Sequence, residues 1–296
     1  MDKRDNEVRK KVLLLFGVTD EEAEKDIKTI QEWMTTQPHL PEIMETKKIA
    51  NFLIRNKFSV EKTKQKIDTY YTIRTLIPDL YLNSHPKSQR MQHFINTSYC
   101  CPFPKLLDDT DLLLFIKPSR PDFFELTAQC FNIMEYLFYE TYVASTVVVY
   151  DFANLGLGDL SKVPPSASRK MVTATEKVLS FRLKALYLVN TSTITSVVLG
   201  MSKTFLKAKI FERLHVFHDV GELKKVVPVG FLPRDYGGTA PSLEELNDML
   251  KIKFDEYEER FDKLDKLKVD ESLRPEKLNN DDLLGFYGNF KKLDVD

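Results

Sequence analysis

Between Leu112 and Phe217 the sequence alternates short β-branched and aliphatic runs with helical stretches, and no other feature restricts the fold as strongly. The runs are Leu112–Ile116, Thr146–Tyr150, Ala185–Val189 and Leu214–Phe217. Thr146–Tyr150 is nearly all apolar, so it suits a strand covered on both faces. Between the runs, helical spacing covers Pro121–Tyr142 (Phe124, Cys130, Phe131, Met134, Leu137 and Phe138), then Pro165–Leu179 and Thr193–Ala208. Strands separated by helices lie side by side only through crossover connections, so the pattern predicts β-α-β units and a mostly parallel sheet.

The preceding residues have a different texture. From Asp20 to Leu76 the apolar positions recur at three-to-four spacing, as in Ile27, Ile30, Trp33 and Met34, and Pro38 and Pro41 stop that helix. A second helix carries Ile49, Phe52 and Leu53. Ser59 is placed to cap a third, whose face is Val60, Ile67, Tyr70, Tyr71 and Ile73. Lys47, Lys48, Arg55, Lys57, Lys62, Lys64 and Lys66 read as the solvated side of these helices. A stretch with Pro and Ser from His85 to Pro104 marks the change of texture. From Ser242 charged helix returns with Leu243, Leu246, Met249 and Leu250, then Phe254, Tyr257 and Phe261, and the apolar periodicity thins past Lys263. The expected organisation is a small all-helical domain over 1–84, an α/β domain over 85–250 and a charged, peripheral extension over 251–296.

Composition excludes several classes of function. Over 296 residues, 43 Lys and Arg against 44 Asp and Glu leave a formal charge of −1, which removes any global electrostatic case for nucleic acid. Apolar runs such as Val12–Phe16 and Thr146–Phe152 fall far short of the ~20 residues of a spanning helix. The N-terminus mixes acids with bases and has no small-residue cleavage site, unlike a secretory signal. Three cysteines, two of them adjacent at Cys100 and Cys101, fit a reducing cytosol.

Signs of catalysis are sparse. Gly156-x-Gly158 follows a strand as a dinucleotide fingerprint would, but Ser161 stands at the third glycine position, so it reads as an ordinary turn. His215 and His218 lack ligand companions at zinc spacing. With no nucleophile elbow, Walker loop or His-Glu-x-x-His, neither an enzyme, a cofactor nor a metal is expected. The segment from Thr191 to Arg213 says more. Ile194, Val197, Val198, Met201, Phe205, Ile210 and Leu214 form a wide apolar stripe, with Lys203, Lys207, Lys209 and Arg213 between them. That pattern fits both a helix that covers a sheet and one that touches anionic lipid.

Leu232-Pro-Arg-Asp-Tyr-Gly-Gly238 resembles the Leu-Pro-x-x-Tyr-Gly-Gly ending of CRAL-TRIO lipid-binding domains. Arg182-Leu-Lys-Ala-Leu-Tyr-Leu-Val-Asn190 resembles the family's strand ending in Asn, and Lys203-Thr-Phe-Leu-Lys-Ala-Lys-Ile210 with Arg213 resembles its Lys-Pro-Phe-Leu…Lys-Ile…Arg segment. Tyr150-Asp-Phe-Ala-Asn154 sits at the usual Asp-x-x-Gly, and Phe52-Leu-Ile-Arg-Asn-Lys-Phe58 is similar to a motif of the family's helical N-terminal domain. The texture is nearest the tocopherol-transfer and retinaldehyde-binding branch.

The resemblance implies a helical N-terminal domain followed by an α/β lipid-binding domain whose mostly parallel sheet floors an apolar cavity under a gate helix. It implies a carrier of one hydrophobic lipid (tocopherol, retinoid, carotenoid or similar) that is cytoplasmic and meets membranes transiently. Cavity candidates are Phe131, Met134, Phe138, Val148, Met171, Val178, Leu186, Leu188, Ile194, Val197, Val198 and Met201, and the gate would expose Ile194, Val198, Met201 and Phe205. Arg182, Lys184, Lys209 and Arg213 match the branch's phosphoinositide-binding cleft. In the fungal phosphatidylinositol transfer branch Pro-Glu precedes the matching Arg, where Ser180 and Phe181 stand here. A phosphoinositide-dependent trafficking adaptor and a phosphatidylinositol-type transfer protein are the alternatives.

Overall fold

The computed structural model of the chain describes residues 3–161, 164, 172, 175, 182–191, 194–264 and 266–275. Its sheet contains β1 (Tyr99–Pro102), β2 (Asp111–Lys117), β3 (Ser145–Asp151), β4 (Leu183–Val189) and β5 (Leu214–Val216), in that spatial order. β2 to β5 are parallel, with Leu114 opposite Val148, Val148 opposite Leu186, and Leu186 opposite Leu214. β1 joins antiparallel at the edge, and the edge is where Pro102 is tolerated, since it has no N–H to donate to a further strand.

Sequential parallel strands in an unreversed order put right-handed crossovers on one face. α7 (Phe123–Glu140) follows β2 on that face, and α9 (Thr195–Phe205) and α10 (Ala208–Phe211) follow β4. Side chains alternate accordingly. Leu112, Leu114, Val148, Tyr150, Leu186 and Leu188 point toward the crossover side, whereas Leu113, Phe115, Val147, Val149, Ala185 and Val189 pack on the back against Leu223, Val227, Leu232, Tyr236, Leu243 and Leu246.

The helical part comprises α1 (Lys3–Phe16), α2 (Asp20–Thr35), α3 (Thr46–Arg55), α4 (Val60–Leu76), α5 (Pro78–Tyr81) and α6 (Gln89–Thr97). Thr19 and Glu22 form a capping box that starts α2, and Ser242 with Glu245 does the same for α12 (Leu243–Glu256), which follows two one-turn helices, α8 (Leu157–Leu160) and α11 (Val220–Leu223). Ile27, Ile30, Ile49, Phe52, Ile67 and Tyr70 share one core with α7, in which Phe52 and Phe138 stack at 4.9 Å.

Three expectations are revised. The apolar stripe across Thr191–Arg213 is two helices, because Leu206 and Lys207 take extended backbone. Thr204, whose hydroxyl donates to the Gly200 carbonyl, is a weak helix former at that end. Lys48 and Arg55 are buried rather than solvated, since α3 is enclosed by α4 and α7. The segment from 251 brings Phe254, Phe261 (on α13, Glu258–Leu264) and Val269 into the core, and Arg274 pairs with Asp68 at 2.7 Å. The helix expected over Pro165–Leu179 lies outside the described residues apart from 172 and 175.

Candidate functional site

The crossover face of the sheet divides in two. Leu112 and Leu114 are sealed by α7, while Val148, Tyr150, Leu186, Leu214 and Val216 are only half-buried, although strands of a parallel sheet are ordinarily covered on both faces. α9 lies over this more open half through Ile194, Val198 and Met201, which join Phe152, Leu155, Leu160 and Leu188 in one cluster. Ile194 and Val198 are buried and Met201 is half-buried; Val197 is exposed on the outer side. Of the other cavity candidates, Phe138 stacks on Phe52, Phe131 stacks on Tyr81 at 5.1 Å, and Met134 is fully buried among the helices. All three belong to the core that α7 shares with the N-terminal helices and with Leu112, Leu114 and Ile116 of the sheet. Met171, Val178 and the Phe205 side chain lie outside the described residues.

The root of α9 is fixed by Asp151, at the carboxyl end of β3. Its Oδ1 accepts from the Asn190 side-chain amide at 2.7 Å, its Oδ2 accepts from the Tyr236 hydroxyl at 3.0 Å, and Lys117 Nζ stands 3.6 Å away. Asn190 holds a φ of 58°, in the left-handed region that Asn tolerates better than most residues. Tyr236 is presented by a loop with two obligatory glycines. Gly237 has φ 69°, and a Cβ on Gly238 would lie 1.9 Å from the Leu232 carbonyl oxygen.

Three of the four basic candidates, Arg182, Lys184 and Arg213, lie at the opposite end of β4 with unequal freedom. Lys184 falls at a register shift between β3 and β4, and its ammonium donates to Asp111 at 2.6 Å and to Asp108 at 3.0 Å, bonds that raise its pKa. Arg182 lies over the Phe16 ring at 4.7 Å, and burial and then the Arg213 charge lower its pKa, partly offset by Asp111. Arg213 also donates to the Leu183 carbonyl, while Lys209 is exposed on α10. Gly156 and Asp159 simply cap the one-turn α8, with the Gly156 N–H donating to Asp159 at 3.1 Å.

A match to the CRAL/TRIO domain spans residues 81–238, which takes in the whole sheet, α9 and the Tyr236 loop. The chain belongs to the CRAL/TRIO family. A second match, described as Pinta-like, UBA domain, covers residues 19–91. Proteins named alpha-tocopherol transfer protein-like are similar to this one: that of Mus musculus is 24% identical over 229 residues, 74% of this chain and 66% of that protein. That of Homo sapiens is 24% identical over 248 residues, 80% of this chain and 72% of that protein. The crystal structure of Sfh5 superposes with a TM-score of 0.51 at 14% identity, over 77% of this chain and 90% of that one. It shares the fold.

Within this CRAL/TRIO protein one polar assembly had no sequence signal. Glu135 on α7, 2% exposed, accepts from Lys48 on α3 at 2.6 Å, from the Tyr70 hydroxyl on α4 at 2.6 Å and from Arg260 on α13 at 2.8 Å. Arg260 also reaches Glu42 at 2.9 Å. Burial alone would raise Glu135, yet Lys48, Arg260 and Arg74 together hold it down at about 2. Lys48 goes the other way, because burial outweighs its attraction to Glu135 and Arg260 repels it, leaving it at about 8. The asymmetry follows from cations outnumbering carboxylates. No helix among the described residues is long and apolar enough to cross a membrane.

Proposed function

We propose that the protein binds one hydrophobic molecule between the sheet and α9 and exchanges it at phosphoinositide-containing membranes, without chemistry of its own. The observation that carries this reading is the half-buried apolar floor of Val148, Tyr150, Leu186 and Leu214 beneath a helix whose inner side is Ile194, Val198 and Met201. Apolar surface left partly open inside a domain is costly in water and becomes favourable when an apolar ligand covers it. A tocopherol, retinoid or carotenoid is the size class we favour, in keeping with the name of the tocopherol-transfer-like relatives. Arg182 and Arg213, which repel each other and make no carboxylate pair of the kind that holds Lys184, support attraction to an anionic head group, and exposed Lys209 adds to it.

Native mass spectrometry of the purified protein, followed by organic extraction, tests the carrier. Recovery of a single apolar ligand at about one per chain is expected. An empty protein that also takes up no tocopherol, retinoid or carotenoid from vesicles would leave a phosphoinositide-dependent adaptor as the better account. Val197→Asp, on the exposed outer side of α9, should slow transfer between vesicles while ligand binding in solution persists, because the charge meets lipid only when α9 is at the membrane.

A further inference from the structure

α1 buries one side only. Val8, Val12 and Phe16, at i, i+4 and i+8, lie against the helical core, and Leu13 is buried as well. Leu14 and Leu15 fall on the other side, where a surface helix ordinarily carries polar residues, and they are 82% and 63% exposed. Leu14 is the most exposed large apolar side chain among the described residues. This end of the helix is closed. Gly17, at φ 65°, donates its N–H to the Leu14 carbonyl at 3.1 Å, and Val18 donates to the Leu13 carbonyl at 3.1 Å, the paired bonds of a Schellman cap. Two neighbouring leucines are thereby held in water by an ordered backbone.

The cap stands beside the basic end of β4. Phe16 lies under the Arg182 guanidinium and edge-on to Phe58 at 5.6 Å, and exposed Lys57 precedes Phe58. Arg213, on the Leu183 carbonyl, belongs to the same strand end. Lys11, one turn before Leu15, donates to Asp109 at 2.7 Å, next to the Asp108 that accepts from Lys184. Lys10, one turn before Leu14, is exposed and has no acid partner among the described residues. Cations and bare apolar surface therefore share one patch. Two leucines offer far less than the ~800 Å² per partner of a stable protein interface, so a second protein chain would gain little from them. An anionic bilayer suits both components at once, because the cations attract its surface and short apolar side chains reach just below the head groups.

We infer that Leu14 and Leu15 are a membrane anchor, inserted among the head groups and upper acyl chains while Lys10, Arg182 and Arg213 meet the anionic surface. The anchor extends the phosphoinositide part of the proposed function and rests on it. It adds an apolar contact from the N-terminal helices, separate from α9. It also orients the molecule, since α10 leads into β5 at this end of the sheet and docking here turns the junction of α9 and α10 toward the bilayer.

The probe is a phosphatidylcholine vesicle containing phosphatidylinositol bisphosphate. Cys100, Cys101 and Cys130 are buried, so Leu14→Cys supplies an accessible thiol for a polarity-sensitive fluorophore. Its emission should rise and shift to the blue on these vesicles and not on phosphatidylcholine alone. The same label in Leu82→Cys, at a leucine 67% exposed after α5, should not respond. Leu14→Ser with Leu15→Ser should weaken co-sedimentation roughly tenfold at an unchanged melting temperature, since both side chains leave water only at the membrane. Added salt should weaken the wild type and this variant by the same factor, because the leucine contribution is not electrostatic. A label at position 14 that stays in water on vesicles that bind the protein, an equal response at position 82, or a folded double variant that binds as tightly as the wild type would each overturn the anchor and leave the phosphoinositide reading standing. Failure of the wild type to bind these vesicles would overturn both. A blue shift that grows with protein concentration in the absence of vesicles would mean contact between copies of the chain and would overturn the bilayer assignment. If the double variant does not fold, the two labelled proteins decide.

Discussion

Replacing Glu135 with glutamine keeps the shape of the side chain and removes the charge that three buried cations share. Glu135 is 2% exposed and Lys48 is fully buried, so water cannot compensate for the loss. Breaking a buried pair by removing one partner costs about 3–5 kcal/mol. The depression of the Glu135 pKa from 4.5 to about 2 is of the same order, roughly 3 kcal/mol at 1.36 kcal/mol per unit. The sign follows from linkage. A carboxyl whose pKa is depressed by folding contributes its stability above pH 4.5, and that contribution is lost as the pH falls toward 2. Glu135→Gln has nothing to lose there, so the gap between wild type and variant should close on the acid side. It should also narrow as the pH rises toward 8, because without Glu135 the Lys48 pKa drops below its present value of about 8 and the amine sheds its buried charge earlier. Urea unfolding followed by circular dichroism from pH 3 to pH 8 measures both limbs. A deficit under about 1 kcal/mol near pH 5, or one that stays constant down to pH 3, would refute the assignment of this network as a net-stabilising hub.

Two further predictions concern the surface and the loop. Arg182→Ala with Arg213→Ala should weaken binding to vesicles containing phosphatidylinositol bisphosphate roughly thirtyfold, at about 1 kcal/mol per charge, and co-sedimentation should show no comparable loss for Lys62→Ala with Lys66→Ala. Gly238→Ala should destabilise the protein by about 3 kcal/mol or more, since the new Cβ would meet the Leu232 carbonyl oxygen at 1.9 Å; an unchanged melting temperature would mean that the loop can shift freely.

What the sequence made legible follows the range of each interaction. The strands at Leu112, Thr146 and Ala185 could be read because burial on both faces leaves a run of apolar residues that needs no partner to be recognised. β1 could not, since Tyr99-Cys-Cys-Pro is four residues long and carries a proline that only an edge position permits. The break at Leu206 and Lys207 escaped because the apolar periodicity continues across it. Lys48 was misplaced for a different reason: its partner Glu135 is 87 residues away, and nothing local distinguishes a lysine aimed at a distant carboxylate from one aimed at water. In the candidate site, the gate stripe was visible as a pattern, and the four basic positions were named through the family resemblance. The acids Asp108 and Asp111 that occupy Lys184 were not, because they lie 76 and 73 residues before it.

The two faces of the sheet differ in a way that bears on how a carrier of this kind would open. On the back, Leu113, Phe115, Val149 and Val189 are completely buried and the Tyr236 loop is held by glycines that admit no substitute, so that layer resists movement. On the front, α9 rests through buried Ile194 and Val198 and half-buried Met201 on a floor that is itself only half-buried, and it is separated from α10 by two extended residues. Asp151 joins the layers, bonding Tyr236 behind and Asn190 at the root of α9. A helix fixed at its root and joined by extended backbone at its far end can be displaced without loosening the sheet. Among the described residues, opening would then cost the contacts of Ile194, Val198 and Met201, the same apolar surface that a bilayer would cover.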